Sequence, residues 1–371
     1  MRIDLATLEG GVETEWLVKL IREATKRQAT DIHLVEKEKP RIRVMGKLTI
    51  LESFRPVNRE DIFSLVPPGK RDAISNFCGE IDFALQIDNH RFRVNVFFEL
   101  AGVAAVMRHL PVNPPSIDDL GLPEVLKRFT SLTRGLVLVT GPTGSGKSTT
   151  LAAMVNEINK TRMCRIITIE DPIEYIHENK KSFISHREVG QHTKSFAEAL
   201  RGALREDPDV ILVGEMRDTE TIDLAIKAAL TGHLVLSTVH TISAAKTVDR
   251  IIQSFPSEMQ NQIRMDFADV IEGVISQTLL PRRDQKGLIV AYEVMTATPA
   301  VRSLIREGKT YQLQSVIETS QQDGMNTLDQ CLANLVKKGM VTYEDALEKA
   351  QDKVRFSKMV KMDDVFLPPN T

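Results

Sequence analysis

Residues 141–149 read Gly-Pro-Thr-Gly-Ser-Gly-Lys-Ser-Thr, and this stretch decides the fold. The spacing Gly-x-x-x-x-Gly-Lys-Ser/Thr is filled by Gly141, Gly146, Lys147 and Ser148. Pro142, Thr143, Gly144 and Ser145 lie inside the loop, and Thr149 follows it. Before the loop, residues 135–140 (Gly-Leu-Val-Leu-Val-Thr) form a short apolar run suited to a buried parallel strand. After it, Leu151, Met154, Val155 and Ile158 recur at helical spacing. A chance glycine loop would lack these two flanks. Strand, glycine loop and helix in that order let backbone N–H groups and a helix N-terminus wrap phosphates. The stretch reads as a nucleoside triphosphate grip. Lys147 would reach the β- and γ-phosphates, and the Ser148 hydroxyl would hold Mg²⁺.

A chain of 371 residues is long for one domain and suggests two or three. Hydrophobic content of 42% with 26% charged residues describes a globular protein with an adequate core. A formal charge of −2 argues against a dedicated nucleic-acid protein. Cys78, Cys164 and Cys331 lie far apart, which fits reduced thiols in a cytoplasmic protein. No run approaches the roughly 18 apolar residues of a membrane span. The N-terminal stretch, with Asp4, Glu9 and Glu13, lacks a secretory pattern. Any work on a membrane apparatus is therefore expected from the cytoplasmic side.

Residues 14–29 predict a helix, with Trp16, Leu17, Leu20, Ile21 and Ala24 on one stripe. From Asp31 to Arg108 the pattern changes to short strands, as in Arg41-Ile-Arg-Val44 and Arg91-Phe-Arg-Val-Asn-Val96. Pro111, Pro114 and Pro115 then mark a linker, because proline continues neither a helix nor a central strand. Beyond it strands near 135–140, 165–170, 210–213, 233–239 and 288–294 alternate with helices near 147–160, 196–206, 219–230 and 244–254. Ser195 with Glu198 predicts a capping box, and Ser257 with Gln260 predicts another, opening a helix that runs to about Leu280. Such alternation means α/β architecture, a mostly parallel sheet with helices on both faces. From Pro299 onward the chain reads as short helices, with a charged tail expected to end in disorder. The expected divisions are 1–110, a linker at 111–118, a core at 119–298 and a helical region at 299–371.

Hydrolysis needs more than a phosphate loop. Two acidic segments end apolar strands: Glu170-Asp-Pro-Ile-Glu174 after 166–169, and Gly214-Glu215 after 210–213. The C-terminal ends of parallel strands converge on the phosphate crevice. Carboxylates there can orient the attacking water or the Mg²⁺ shell. For Glu170, Asp171 and Glu174 the plain alternative is a helix cap or a solvated turn. Glu215 resembles the acidic residue of a Walker B strand, acting on the metal through water. Gly232-His233 to His240 brackets a strand with two histidines, which alternation puts on opposite faces. His240, at the C-terminal end, is placed to sense or polarise the γ-phosphate. His233 starts the strand on the far side, where a structural role is the plain reading.

Taken together, Gly141–Thr149, Glu170–Glu174, Gly214-Glu215-Met-Arg217-Asp218 and the two-histidine box resemble the four signatures of secretion and type IV pilus ATPases. The resemblance runs from Ala29-Thr-Asp-Ile-His-Leu34 to the C-terminal helices and is nearest the pilus retraction (PilT) subfamily. Ala300-Val-Arg302-Ser-Leu-Ile-Arg306-Glu307 is similar to that subfamily's C-terminal signature, with Val301 and Ser303 as departures. It implies a RecA-like P-loop ATPase core, a smaller α+β, PAS-like N-terminal domain and a C-terminal helical subdomain. It implies ATP and Mg²⁺ as cofactors and a homo-hexamer with nucleotide held between the N-terminal and RecA-like domains. It further implies Glu174 as the catalytic base, with Glu170 next in line. Arg91, Arg93 and Arg108 would complete the site from the N-terminal domain, a contribution worth about 10³–10⁵ in rate where arginine fingers are known. Arg302 and Arg306 would couple hydrolysis to retraction; without the resemblance they read as the solvated face of an amphipathic helix. The implied partner is an inner-membrane pilus platform protein, with peripheral attachment to that membrane from the cytoplasm.

Three alternatives remain distinct. An assembly ATPase would carry an extra N-terminal domain and paired metal-binding cysteines, where this sequence starts at the strand-rich domain. An accessory retraction paralogue (PilU) is supported by Gly324-Met-Asn-Thr-Leu-Asp-Gln330 and by the extended end after Tyr343, whereas residues 300–307 favour the principal motor. A strand-translocating motor would need basic or aromatic lining, and aromatics make up only 5% of the chain, so no nucleic-acid partner is expected.

Overall fold

The computed structural model describes residues 12–44, 46–67, 79–87, 90–110 and 113–361. Cys78, Pro111, the acidic residues Asp4 and Glu9 and the expected disordered end, 362–371, lie outside the described residues. The chain forms two units, Met1–Asn113 with Pro172–Ile176, and Pro114–Asp171 with His177–Thr371. Residues 172–176, expected within the core, group with the first unit.

The first unit runs α1 (Val12–Lys26), β1 (Asp31–Val35), β2 (Arg41–Val44), β3 (Lys47–Ile50), α2 (Arg59–Leu65), β4 (Glu80–Ile87), β5 (His90–Glu99) and β6 (Gly102–Leu110). Its six strands pair in the order β3-β2-β1-β6-β5-β4, all antiparallel. Leu17, Leu20 and Ile21 of α1 share a core with Ile32, Leu34, Ile42, Phe92 and Val94. Strand alternation on β5 buries Phe92, Val94 and Val96 and leaves Arg93 exposed. Register then lines up Arg43, Asp31, Arg108 and Arg93 across β2, β1, β6 and β5.

The second unit runs α3 (Val125–Thr130), β7 (Gly135–Thr140), α4 (Lys147–Thr161), β8 (Arg165–Glu170), β9 (Phe183–Glu188), α5 (Phe196–Ala203), β10 (Val210–Val213), α6 (Thr219–Leu230) and β11 (Leu234–Val239). It continues through α7 (Ala244–Gln253), α8 (Ser257–Val270), β12 (Ile271–Pro281), β13 (Leu288–Thr296) and the C-terminal helices α9 (Pro299–Arg306), α10 (Leu313–Thr319), α11 (Leu328–Lys337), α12 (Tyr343–Lys349) and α13 (Lys353–Lys361). Seven strands pair in the order β13-β12-β7-β11-β10-β8-β9, parallel throughout except for β13. Alternation on β7 sends Leu136 and Leu138 to one core and Val137 and Val139 to the other. Helices cover both faces, which is why these strands read as unbroken apolar runs.

The helix expected to reach Leu280 ends at Val270, and residues 271–281 form the strand β12 between β7 and β13. Val270, Ile271, Val274 and Ile275 are β-branched and lose rotamer freedom in a helix. At Gly273 a Cβ would run into the ring of Phe129, so only glycine lets that strand pass. The expected Ser257–Gln260 capping box is also replaced. Pro256 is the N-cap of α8, and Gln260 donates its amide to the Phe255 carbonyl at 3.0 Å. Ser195 caps α5 through the Glu198 N–H at 3.1 Å. Strand β9, absent from the sequence reading, pairs among the described residues with β8 alone, at the sheet edge, and carries Ser185, His186, Arg187 and Glu188 in place of an apolar run.

Candidate nucleotide site

The loop leaves β7 at Thr140 and enters α4 at Lys147. Gly146, the N-cap of α4, has φ 85°, and Gly141 has φ 145°, both on the side of the map that favours glycine. A Cβ on Gly141 would strike the Gln277 carbonyl oxygen. Pro142, Thr143 and Gly144 are exposed, whereas Ser145 and Lys147 are buried. Lys147 Nζ donates to the carbonyls of Gly141 and Pro142, at 3.0 Å each. Ser145 Oγ is buried without a hydrogen bond. An orphaned hydroxyl, an ammonium folded onto its own loop and glycines where side chains would collide form a cradle suited to phosphate oxygens. Ser148 follows in the first turn of α4.

Gln277 was not singled out in the sequence, because its segment was read as helix. From β12 its Nε2 donates to the Ser145 carbonyl at 2.6 Å, and its Oε1 accepts the Thr150 hydroxyl at 2.9 Å. Next to it, Thr140 and Ser276 pair their hydroxyls at 2.7 Å across the β7–β12 ladder. A cavity of about 730 Å³ opens beside Gly146, Thr149, Thr150 and Gln277 and extends to Leu122 and Tyr292. The β-branched run around Ile271 was the signal that a strand carries these residues.

Glu215 and His240 meet at the C-terminal edge of the same sheet. Strand β11 lies between β7 and β10, with Val239 in register with Thr140 and Ser237 with Val213. His240 and Glu215 follow these strand ends, and His240 Nε2 lies 3.1 Å from Glu215 Oε1. Arg217 Nη2 lies 2.8 Å from Glu215 Oε2. The hydrogen bond that Arg217 donates to Glu215, with the charges of Glu215 and Asp171, raises the Arg217 pKa above its ordinary value. Thr238 donates its hydroxyl to the Gly214 carbonyl at 2.7 Å and its carbonyl accepts the Met216 N–H at 3.1 Å, which fixes the turn bearing Glu215. Asp218, the last residue of that motif, is the N-cap of α6, its Oδ1 accepting the Thr221 N–H at 2.8 Å.

Of the remaining candidates, Glu170 stays at this edge, since Val213 pairs with Ile169 and the Gly214 N–H donates to the Ile169 carbonyl at 2.7 Å. Glu170 ends β8 opposite Glu188 of β9. Glu174 lies in the segment 172–176 that belongs to the first unit. His233 faces the Ala228 carbonyl at 2.9 Å and the Thr231 hydroxyl at 3.2 Å, closing the end of α6 far from the loop's end of the strand. Within the first unit Arg108 donates to Asp31 at 2.9 Å, Arg93 lies 3.5 Å from Asp82, and Arg91 is half-buried on the same strand. Arg302 departs from the solvated-face alternative: its guanidinium donates to the carbonyls of Ala268 and Asp269 and to Glu272, at 2.8, 3.0 and 2.8 Å. Arg306 reaches Asp269 at 3.1 Å. Arg302 thus caps the C-terminus of α8, where cations are favoured, and Arg306 pairs with a carboxylate on its last turn.

Among the described residues no helix is long and apolar enough to cross a membrane, and no cluster of three or more His, Cys, Asp or Glu side chains is arranged to hold a metal ion. Comparison with known proteins gives the same family by sequence and by structure. The profile of the Type II/IV secretion system protein family matches residues 9–348. The type IV pilus retraction ATPase PilT of Pseudomonas aeruginosa is 47% identical over 340 residues, covering 90% of this chain and 98% of that protein. A twitching motility protein of Neisseria gonorrhoeae is 52% identical over 317 residues, 84% of each chain. A crystal structure of the pilus retraction motor PilT with bound ADP superimposes with a TM-score of 0.86 at 43% identity, covering 92% of this chain and 99% of that one. With a phosphate loop, a Glu215–His240 pair beside it and similarity over nearly the full length of these relatives, the chain belongs to the PilT family of secretion ATPases.

Proposed function

We propose that this protein is a cytoplasmic ATPase motor that drives type IV pilus retraction, working as a homo-hexamer on an inner-membrane platform protein. The observation that carries the reading is the placement of Glu215 and His240 at the ends of β10 and β11, with β11 directly beside the strand that launches the phosphate loop. Neighbouring strands lie about 4.8 Å apart, so both groups stand within reach of a γ-phosphate held by Lys147. The proposed divisions are an N-terminal domain at 1–110, a linker at 111–118, a core at 119–298 and a helical region at 299–371.

ATP fits the loop on three counts: the glycine backbone at 141 and 146, the orphaned Ser145 hydroxyl and the inward Lys147 ammonium. On binding, Lys147 exchanges its two loop carbonyls for phosphate oxygens, a stronger, charge-assisted pairing. The nucleoside extends into the cavity lined by Leu122 and Tyr292. Bound at Ser148, Mg²⁺ supplies charge neutralisation for phosphoryl transfer. Glu215, held by His240 and Arg217, orders that metal's water shell, and His240 reports on the γ-phosphate. Glu174 takes the base role, with Glu170 as its substitute.

Steady-state ATP hydrolysis by the purified protein with Mg²⁺ tests the enzymatic half of this reading. Turnover abolished by Lys147→Ala is the expected result. No turnover by the wild-type chain in any oligomeric state would contradict it.

A further inference from the structure

Glu293 stands in β13 with no exposed surface, and none of the chemistry above uses it. A fully buried carboxyl group is rare unless something holds it, so its contacts decide what it does. Its Oε1 accepts the backbone N–H of Ala244 at 2.7 Å, and Ala244 is the first residue of α7. Its Oε2 is buried without a hydrogen bond, near the start of α11, where the backbone N–H of Leu328 favours the charged form. One side chain therefore faces the N-termini of two helices, the ends at which negative charge is favoured. Had the site needed only filling, an apolar side chain would serve at lower cost.

The two helices lead to different places. Helix α7 begins four residues after His240. In between, the Thr241 and Thr247 hydroxyls pair at 2.6 Å, and the Ile242 carbonyl accepts the Gln351 side chain at 3.3 Å. Helix α11 continues to Asp329, whose carboxylate accepts the N–H groups of Gln351 and Asp352 at 2.8 and 2.9 Å, just before α13. Gln351 thus bridges the His240 segment to α11, while Glu293 ties the start of α7 to β13, whose next residue, Val294, pairs with Asn326 just before α11.

We propose that Glu293 is a positioning residue that locks the start of α7, and with it the His240 segment, to the N-terminus of α11, so that a change of nucleotide at His240 reaches the C-terminal helices through this carboxylate. The proposal rests on reading His240 as the γ-phosphate contact. It extends that reading from chemistry to the transmission of movement, which requires an element that both sites bias.

The test compares full-length wild type with Glu293→Gln, which keeps the side chain's size and one acceptor oxygen but removes its charge. Amide hydrogen exchange is followed at 241–247 and 327–337, with a non-hydrolysable ATP analogue and with ADP, beside kcat and KM for ATP. In wild type both segments exchange differently in the two nucleotides. In Glu293→Gln the difference persists at 241–247 and is lost at 327–337, KM stays within about twofold and kcat falls about fivefold, the pattern of a residue that does not hold substrate. Ala244→Pro gives an independent route if Glu293→Gln does not fold. It removes the donated N–H at the first helical position, where proline is accepted, and Ser243 before it is already extended (φ −157°, ψ 160°). The proposal is overturned if the folded variant keeps the wild-type difference at 327–337, or if wild type shows none there. Nucleotide-dependent exchange without turnover would instead sink the hydrolysis reading and leave this coupling standing.

Discussion

Gln277 grips the phosphate loop at the Ser145 carbonyl, 2.6 Å away, and the first turns of α4 at the Thr150 hydroxyl, 2.9 Å away. The loop's shape is thus set by its own glycines and also by a side chain 132 residues on in sequence. Because Gln277 is buried, as is Thr150, removal of the amide strands polar groups that water cannot satisfy.

Gln277→Leu should therefore weaken ATP binding about tenfold or more, the outcome of about 1–3 kcal/mol lost in holding the loop. Titration calorimetry with ATP reads it directly. Wild-type affinity would mean that the glycines alone shape the loop.

Lys147→Ala should abolish turnover and leave the fold intact. The ammonium donates to the loop carbonyls of Gly141 and Pro142, and the side chain is no part of the apolar core. Thermal melting of the variant beside its ATPase rate checks both halves of that expectation.

Glu215→Gln should bind nucleotide and lose about 10² or more in turnover, because it keeps shape and removes the charge shared by His240 and Arg217. Glu174→Gln should behave in the same way if Glu174 is the base. Normal hydrolysis by Glu174→Gln would move that role to Glu170.

Two buried groups set opposite pH limits on stability. Burial, reinforced by Asp329, pushes the Glu293 carboxyl from 4.5 up to about 7. The folded chain then holds a proton that the unfolded chain has released, so stability falls as pH rises through that window, by about 3 kcal/mol in all. Burial, with His186 and Lys180 nearby, lowers the His177 imidazole from 6.5 to about 3. Here the unfolded chain takes the proton first, so stability falls as pH drops below 6.5. Glu293→Gln should thus gain on wild type in melting temperature between pH 5 and pH 8, while His177→Gln should gain towards pH 4. Melting curves parallel to wild type in both variants would contradict both assignments.

The sequence shows its sheet wherever a strand is covered on both faces, as at 135–140, 166–169 and 210–213, because burial on two sides leaves only apolar residues. Strand β9 escaped for the opposite reason: an edge strand with one neighbour tolerates His186, Arg187 and Glu188. Residues 257–281 held a helix and a strand back to back, and apolar spacing alone does not mark the join at Val270 and Ile271. That one misreading hid Gln277 and Ser276. Lys147, Glu215 and His240 were legible because loop spacing and strand ends announce them. Glu293 was not, since its partner at Ala244 lies 49 residues away in sequence and only the folded chain brings them together. Arg302 reads as solvated from its helix alone and as coupling from the resemblance, and its hydrogen bonds to α8, more than 30 residues upstream, replace the solvated reading with a cap.

ATP turnover at the Lys147 loop is proposed to shorten pili. Its most direct test is fluorescence imaging of labelled pili in cells whose only retraction ATPase is this chain, with the Lys147→Ala chain as control. Pili should extend and then shorten in the first strain, and extend without shortening in the control. Pili that fail to shorten in both strains, with the wild-type chain present and hydrolysing ATP, would contradict it.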